Sequence, residues 1–378
     1  MPGHFKVLKM ADRTNQFMNP KKITIIVCFV VVVLLLLVAA RQAWPYLFES
    51  EANVVQEGTA LEIMAEDLGN PTCLHWVDES WLLVCDKGGK ILALNLVEGT
   101  FSSPINLLEN LNSPHGALHW VDSNSSARLF VSQSGMLQAW DILSGTNPSE
   151  WKLSSPQTLI EGVATGNHQQ NAIMPGIDGK LIWHSGSTCN VCEESDWRSA
   201  TLLEVDPWNG NHSLLASGVR NSYDGVWVPE MGYLFTDNGR DWEGDDYPYE
   251  EINLLQTGED YGWPLDEPDN PHPNGTIAPI STWTPHSSIN GIDVRPQNST
   301  LPGGNTTVYV TVFGSWNTVV PVGKEIIRVD FSQDENGDWK GDTSVVIEDL
   351  STPLALRFHP NGDLYFADYA HGTIYRYH

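Results

Sequence analysis

An acidic segment in the second half of the chain carries the residue types that a hard metal ion requires. Residues 236–264 read TDNGRDWEGDDYPYEEINLLQTGEDYGWP, with seven carboxylates between Asp237 and Glu251. They alternate with glycine, proline and aromatic residues rather than lysine, which fits neither a salt-bridged helix face nor a flexible acidic tail. Calcium binds carboxylate and carbonyl oxygens, and a glycine-rich loop can turn several toward one point. The segment predicts a calcium site, with a solvated acidic surface loop as the alternative.

A histidine and an Arg-Asn pair could supply proton transfer and charge stabilisation. His168 lies in GNHQQNAIMPGIDGK, and Arg220-Asn221 follow 52 residues later in SGVRNSYD. Imidazole exchanges a proton near neutral pH, so it is a natural general base. One histidine among 12 is by itself more often a surface or packed residue. His168 lies at the start of a repeated unit, however, and we therefore expect its side chain to face a central cavity.

The repeated units are built from short strands. After a loop entry, each has an apolar strand, a Gly/Asp/Asn turn and further strands, as in NGDLYFADYAHGTIYRYH at the end of the chain. The period-2 alternation and the turn pairs favour strands over helices. Six such units predict an all-β, six-bladed β-propeller over residues 59–378, with a β-sandwich as the alternative. The units begin near Asn70, Ser113, His168, Val219, His286 and Thr352.

A ring of blades would leave no exposed sheet edge, provided that the chain ends meet. The segment Ala60–Met64 (ALEIM) precedes the first unit, and the last unit stops at His378. We expect this segment to add a strand to the sixth blade and so close the ring.

Charge excludes one class of partner. The chain has 20 Lys and Arg against 47 Asp and Glu, a net charge of −27, which repels phosphate backbones and argues against nucleic acid. The 32 Gly, 23 Pro and 15 Trp suit many short strands joined by tight turns.

An apolar run of 18 residues, 23–40, follows a basic tail over residues 1–22 and precedes a linker over residues 41–58. This length is near the minimum for a transmembrane helix. The cations before the run predict a cytoplasmic N-terminus and an exported globular domain, on the extracellular or periplasmic side. A cleaved signal peptide is the alternative. The flanking cations are Lys6, Lys9, Arg13, Lys21 and Lys22 before the run and Arg41 after it.

The cysteines agree with export. Cys73 and Cys85 lie on the two arms of a strand-turn-strand pattern, which suits a cross-strand disulfide. For Cys189 and Cys192 we favour a small disulfide loop, with half a zinc site or a redox motif as alternatives. Sequons compatible with glycosylation occur at Asn124, Asn211, Asn274, Asn298 and Asn305.

These motifs together resemble a known family. TDNGRD, EEIN and YGWP, together with the earlier His168-Gln169 and Arg220-Asn221, resemble the glucose/sorbosone dehydrogenases, which oxidise sugars with pyrroloquinoline quinone and calcium on a six-bladed propeller. CNVC at 189–192 and GSWN at 314–317 resemble the sorbosone branch.

The resemblance implies roles residue by residue. His168 would be the base that takes a proton from a sugar hydroxyl, and Arg220 would stabilise charge on the quinone. Asn221 and Asn238 would hydrogen-bond the quinone. The carbonyls of Gly239 and Arg240 would bind the calcium beside it, whereas Glu251 and the carbonyl of Tyr261 would bind a separate structural calcium.

The sequence departs from the family where cations usually meet the quinone carboxylates. Thr352 lies near the place of one arginine, and Thr318 follows GSWN where another is common. Arg240, Lys324 and Arg357 are the available replacements. The expected function is therefore an aldose-type dehydrogenase that uses pyrroloquinoline quinone and Ca²⁺. The alternatives are a non-catalytic propeller that binds glycan or protein, and a calcium-dependent lactonase.

Overall fold

The computed structural model of the protein describes residues 26–37, 51–265 and 275–378. Two units are distinguished, residues 1–50 and 51–378. In the first unit, residues 26–37 form a helix whose side chains are exposed. No helix in the described ranges is long and apolar enough to cross a membrane. Residues 23–25 and 38–40 of the predicted anchor, the basic tail 1–22 and residues 41–50 of the predicted linker lie outside those ranges.

Alternating apolar sequence and glycine turns build the strands of the second unit. Leu364–Asp368 is a strand of five buried residues that follows the turn at Asn361-Gly362. Gly362 has a φ of 101°, and a Cβ there would lie 2.6 Å from the Cα of Ser299, so only glycine fits this turn. The predicted period-2 strands are therefore present in this repeat.

The strands form six antiparallel sheets, which we call blades 1 to 6 in chain order, and the predicted six-bladed propeller is confirmed. Blade 1 contains Pro71–Trp76, Trp81–Asp86, Lys90–Val97, Thr100–Phe101 and Ile105–Leu108, and blade 2 contains Pro114–Val121, Ala127–Gln133, Met136–Ser144, Lys152–Leu153 and Gln157–Glu161. Blade 3 contains Gln170–Pro175, Leu181–Ser185, Thr201–Val205 and His212–Ser217, with a 3-10 turn at Ile177–Gly179. Blade 4 contains Gly225–Val228, Gly232–Asp237, Glu250–Leu254 and Ser281–Trp283, and blade 5 contains Asn53–Val54, Ile289–Val294, Thr307–Val312, Glu325–Gln333 and Trp339–Glu348. Blade 6 contains Leu61–Ala65, Pro353–Phe358, Leu364–Asp368 and Thr373–Tyr377.

Strands from the two ends of the propeller domain close the ring, as predicted. Leu61–Ala65 pairs with Thr373–Tyr377 as the outer strand of blade 6. Six hydrophobic clusters fill the six junctions between neighbouring blades, including the junction of blade 6 with blade 1, where Tyr365 belongs to the same cluster as Leu82. The first strands of successive blades contact one another around the centre. Burial of apolar surface at every junction holds the ring together.

Both predicted disulfides are present. Cys73 pairs with Cys85 on facing strands of blade 1, and Cys189 pairs with Cys192 in the loop that follows Leu181–Ser185 in blade 3. Because their sulfurs are joined, Cys189 and Cys192 supply no thiolates for the half zinc site that was considered as the alternative.

Candidate functional site

Residues before, between and after the strands of blades 3, 4 and 5 enclose a cavity of about 490 Å³, which we call the main cavity. Its size lies in the range of sites for small molecules and cofactors. It is lined by Asn167, His168, Asn190, Arg220, Asn221, Asn238, Gly239, Asp241, Trp242, Glu250, His286, Ser288 and Trp316. The structure thus brings five of the predicted site residues together at one cavity.

His168 lies just before the first strand of blade 3, with its Nδ1 atom 2.8 Å from the Ser187 hydroxyl. Burial, and then the positive charge of Arg220, lower the pKa of His168 to about 3. The imidazole is therefore neutral near pH 7. A neutral imidazole can accept a proton, as a general base must.

The hydrogen bonds of Ser187 fix which ring nitrogen of His168 is protonated. The Ser187 hydroxyl donates its only hydrogen to the Cys189 carbonyl, at 2.8 Å. Toward His168 its oxygen can then only accept, so Nδ1 carries the hydrogen. Nε2 consequently keeps a lone pair for an incoming proton.

Arg220 is buried and held on several sides. Its Nη2 donates to Asp241 at 2.9 Å and to the Asn190 side-chain oxygen at 2.9 Å. Its Nη1 donates to the Asn238 carbonyl at 3.1 Å, and its Nε donates to the Asn190 carbonyl at 3.2 Å. These contacts fix the guanidinium plane, so its charge needs little reorganisation to act on a bound group.

Two buried carboxylates lie near these groups: Glu250 lines the main cavity, whereas Asp237 lies next to it, under the backbone of Arg220 and Asn221. Asp237 accepts the backbone N–H groups of Arg220 at 2.8 Å and Asn221 at 2.6 Å, and Glu250 accepts those of Ser288 and Gly239 at 2.9 and 3.0 Å. Burial raises the pKa of each carboxyl to about 7. A cation nearby would favour their ionised forms.

The predicted calcium ligands lie together at a smaller cavity of about 20 Å³, beside the main one. Gly239, Arg240, Glu251 and Tyr261 all line it. The volume is enough for one water-sized or ion-sized occupant. The residues predicted to bind the calcium beside the quinone and those predicted to bind a separate structural calcium thus line the same small cavity.

Two of the predicted cofactor-binding cations lie elsewhere. Among the described residues, neither Lys324 nor Arg357 lines the main cavity or the smaller one. The Arg357 guanidinium lies in the centre of the ring, where its Nη2 donates to Asp224 at 2.8 Å. Thr352, at the place of the missing arginine, hydrogen-bonds Asp368 at 3.0 Å. Arg220 is thus the one arginine or lysine among the described residues that line the main cavity.

The donor groups at the main cavity suit calcium and the quinone. The side-chain oxygen of Asn238 is buried with no hydrogen-bond partner in the described part of the chain, and the Glu250 carboxylate lies at the same cavity. Hard oxygens of this kind suit Ca²⁺. The cavity volume suits a compact fused-ring cofactor, and Arg220 suits one of its carboxylates. The residues therefore fit the quinone together with a divalent cation, whose charge would offset the negative charges of Asp241 and Glu250.

Several residues of the site were not predicted. Asn190 and Ser187 hold Arg220 and His168, and Trp242 and Trp316 lie at the cavity with 70% and 68% of their surface exposed. The position of Asn190 inside the CNVC motif was the available signal, since a loop closed by a disulfide presents its middle residues in few conformations.

Comparisons with known proteins agree with the fold. No family model matches the chain. An uncharacterised protein of Borreliella burgdorferi is 26% identical over 295 residues, which is 71% of this chain and 76% of that protein. The pyranose dehydrogenase PQQ domain of Coprinopsis cinerea superposes with a TM-score of 0.71 at 17% identity, over 86% of this chain and 97% of that one. The PQQ-bound aldose sugar dehydrogenase of Streptomyces coelicolor gives 0.64 at 16% identity, over 86% and 97%. A calcium structure of a Trichoderma reesei protein of carbohydrate-active enzyme family AA12 gives 0.71 at 17% identity, over 87% and 97%. The resemblance seen in the motifs is matched by a shared fold.

Proposed function

We propose that the protein is an oxidoreductase that oxidises an aldose-type sugar with pyrroloquinoline quinone and Ca²⁺. One observation carries the proposal: a neutral histidine with a free lone pair on Nε2 and a fixed arginine line the same main cavity. The PQQ-containing neighbours support the cofactor, and the calcium structure of a neighbour supports the metal.

Different residues would bind the quinone and the calcium. Asn221 and Asn238 would hydrogen-bond the quinone, and Arg220 would pair with its negative charge. The Gly239 and Arg240 carbonyls would bind the calcium beside it, whereas Glu251 and the Tyr261 carbonyl would bind a separate structural calcium. When bound, the quinone supplies the acceptor for a hydride and Ca²⁺ supplies Lewis acidity.

His168 would move the proton. As a hydride leaves the hydroxyl-bearing carbon of the sugar, the hydroxyl proton passes to Nε2 of His168, so the alcohol loses two electrons and two hydrogens. Protonation makes this imidazole cationic, which burial and Arg220 oppose. His168 must therefore lose this proton before it can accept another in the next turnover.

The two tryptophans support a sugar as substrate. The rings of Trp242 and Trp316 meet edge to face with centroids 5.1 Å apart. This arrangement leaves ring faces at the cavity for the apolar face of a sugar ring. Aromatic side chains of this kind supply contact area with little loss of conformational entropy.

A non-catalytic propeller that binds a glycan or a protein is the second candidate. The observation that favours it is the small number of cations: Lys324 and Arg357 lie away from the main cavity, and Thr318 and Thr352 replace two arginines common in the family. Three carboxylates of a quinone would then depend on Arg220, Arg240 and Ca²⁺. The calcium-dependent lactonase is distinguished by activity without quinone.

Reconstitution tests the function. Purified protein supplied with Ca²⁺ and pyrroloquinoline quinone should reduce an artificial dye when aldoses are added, and chelation should abolish the reaction. His168→Ala should lower turnover by about 10² to 10⁴ while quinone binding persists. His212→Ala, on an outer strand of blade 3, serves as the matched control and should retain activity. A folded, calcium-loaded protein that binds no quinone would favour the binding module, and lactone hydrolysis without quinone would favour the lactonase.

We further propose that the globular domain is exported and that residues 23–40 anchor it. The cations before this run and the two disulfides support the proposal. Protease added outside intact cells should remove the domain and leave the first 20 or so residues protected. Release of a soluble domain that begins after Ala40 would instead identify a cleaved signal peptide.

A further inference from the structure

The short loop closed by the second disulfide lies beside both proposed catalytic groups. It consists of Cys189, Asn190, Val191 and Cys192, which we call the disulfide loop. Asn190 lines the main cavity, whereas the Val191 side chain is 45% exposed. The loop therefore reaches the site through its second residue.

Asn190 contacts both members of an ion pair. Its side-chain oxygen accepts from Arg220 Nη2 at 2.9 Å and from the Asp241 backbone N–H at 2.8 Å. Its side-chain nitrogen donates to the Asp241 carbonyl at 3.1 Å. Its own carbonyl accepts from Arg220 Nε at 3.2 Å and from Trp263 Nε1 at 3.0 Å. One residue thus holds the guanidinium of Arg220 and the backbone of Asp241, the residue whose carboxylate pairs with that guanidinium.

The loop also reaches His168, through Cys189. The Cys189 carbonyl receives the Ser187 hydroxyl hydrogen at 2.8 Å, which obliges the serine oxygen to accept from His168 Nδ1. If the carbonyl turned away, the hydroxyl could donate to Nδ1 instead, and the imidazole hydrogen would move to Nε2. The lone pair at Nε2 therefore depends on the direction of a peptide group in the disulfide loop.

We propose that the disulfide loop is the positioning element of the active site, with Asn190 as the positioning residue for Arg220 and the Cys189 carbonyl as the group that selects the His168 tautomer. The inference rests on the proposed function for the roles of His168 and Arg220. The covalent link between the ends of the loop limits the backbone conformations of the two residues between them. Without the link, Asn190 and the Cys189 carbonyl would sample orientations that release Arg220 and Ser187.

A first experiment reads the tautomer directly and needs neither cofactor nor substrate. Full-length protein with ¹⁵N-labelled histidine is compared by long-range ¹H–¹⁵N correlation, with His168→Gln identifying the resonances. The intact protein should show His168 protonated at Nδ1 alone. Ser187→Ala and the double variant Cys189→Ser/Cys192→Ser should both show a mixture of tautomers. Cys73→Ser/Cys85→Ser, which opens the other disulfide, and Val191→Ala should leave the tautomer as in the intact protein.

The outcomes separate this inference from the proposed function. An unchanged tautomer in Cys189→Ser/Cys192→Ser, with the propeller still folded by circular dichroism, overturns the role of the loop even if the protein oxidises sugars. A changed tautomer in a protein that shows no dehydrogenase activity leaves the positioning role intact and rejects the proposed function.

A second experiment measures kinetics in the reconstituted protein. Asn190→Ala should lower kcat about tenfold to a hundredfold, because a small misplacement of a positioned charge has effects of this size. KM for the sugar should change less, and Asn190→Asp, which keeps the oxygen that accepts from Arg220, should recover part of the loss. Val191→Ala should behave as the unmodified protein. A kcat within twofold of that protein in Asn190→Ala would contradict the inference.

Discussion

At the scale of single residues, burial decides which charged groups are available to a ligand. Arg357 is one of only 20 Lys and Arg in the chain, which made it a candidate for the quinone carboxylates. In the structure, its guanidinium donates to Asp224 at 2.8 Å and to the Ile292 carbonyl at 3.2 Å in the centre of the ring. Its charge is therefore already neutralised by a buried partner.

Arg357→Met should destabilise the propeller and leave quinone affinity unchanged. Removing one partner of a buried ion pair typically costs about 3 to 5 kcal/mol, because the remaining Asp224 carboxylate is left unpaired. Thermal unfolding and a quinone titration measure the two effects. Replacing both partners, as Asp224→Leu/Arg357→Met, should recover part of the stability. A tenfold loss of quinone affinity at unchanged stability would instead show that Arg357 contributes to quinone binding.

His184 should make the protein sensitive to acid. The buried ring contacts the Ser222 hydroxyl and the Tyr233 hydroxyl at 2.8 Å each, and burial lowers its pKa to about 3. Below pH 6.5 the unfolded chain binds a proton here that the folded protein does not, so this stability is present above pH 6.5 and is lost as the pH falls toward 3. The loss for this group by pH 4 is on the order of 3 kcal/mol.

The comparison variant is His184→Gln, which is neutral at every pH. It should be less stable than the unmodified protein at pH 7, because packing is lost, yet its stability should fall less between pH 6.5 and 4. Urea unfolding at pH 7, 5.5 and 4 gives the two slopes. Equal slopes would show that His184 does not contribute to the acid sensitivity.

The residue types of the site could be predicted, but their charge states could not. His168, Arg220 and Asn238 were identified from motifs, and they line one cavity. The pKa is about 3 for His168 and about 7 for Glu250, and both values result mainly from burial by segments that are distant in the sequence. A sequence does not specify which of its polar groups lose contact with water.

At the scale of elements, the acidic loop of blade 4 combines residues from two strands and a turn around the smaller cavity. Glu251 lies on the strand Glu250–Leu254, and Tyr261 follows that strand by a turn. The Glu251 carboxylate accepts from the Asn253 side chain at 2.8 Å. This arrangement presents hard oxygens at a space of about 20 Å³.

Glu251→Gln should weaken calcium binding at this loop at least tenfold, because a carboxylate is exchanged for a neutral amide. Isothermal titration with Ca²⁺ measures the affinity, and terbium luminescence excited through tryptophan reports the same site. Asp246→Asn provides the control, since Asp246 is an exposed carboxylate of the same loop that lines neither cavity. Equal affinities for the two variants would favour the solvated acidic loop over a metal site.

Local elements were the part of the fold that the sequence specified best. Strands, turns and both disulfides followed from patterns within about 15 residues, as in the Cys73–Cys85 hairpin. The roles of Asn190 and Ser187 did not, because each is defined by a partner on another segment, Arg220 or His168. Contacts of this kind require the register and the closure of the blades to be known.

At the scale of the whole molecule, the propeller depends on the pairing of residues that are more than 300 positions apart. Ala60 and His378 exchange both backbone hydrogen bonds, at 2.8 and 3.1 Å, and Leu61–Ala65 continues the pairing along Thr373–Tyr377. The six repeats predicted the ring, and the spare strand predicted its closure. The sequence pattern could not show how much the stability of the ring depends on this pairing of Leu61–Ala65 with Thr373–Tyr377, which we call the seam.

Glu62→Pro should weaken that seam measurably. Ala60 and His378 form a hydrogen-bonded pair, so the antiparallel alternation makes Glu62 and Arg376 the next such pair. Proline at 62 removes a ladder donor and leaves a carbonyl on the partner strand unpaired, a loss of about 1 to 3 kcal/mol. Glu62→Ala, which keeps the backbone donor and loses the half-exposed side-chain contacts to Arg376 and His378, should cost less than about 1 kcal/mol.

Ile63→Pro supplies the matched proline control, because the N–H of residue 63 points away from the partner strand under the same alternation. Differential scanning calorimetry should show the unfolding midpoint ordered as unmodified protein and Glu62→Ala highest, Ile63→Pro next and Glu62→Pro lowest. If blade 6 closes the ring cooperatively, Glu62→Pro should lower the midpoint of the single transition of the whole propeller. A separate early transition, with the main transition unmoved, would show that the seam opens by itself and that the remaining blades are stable without it.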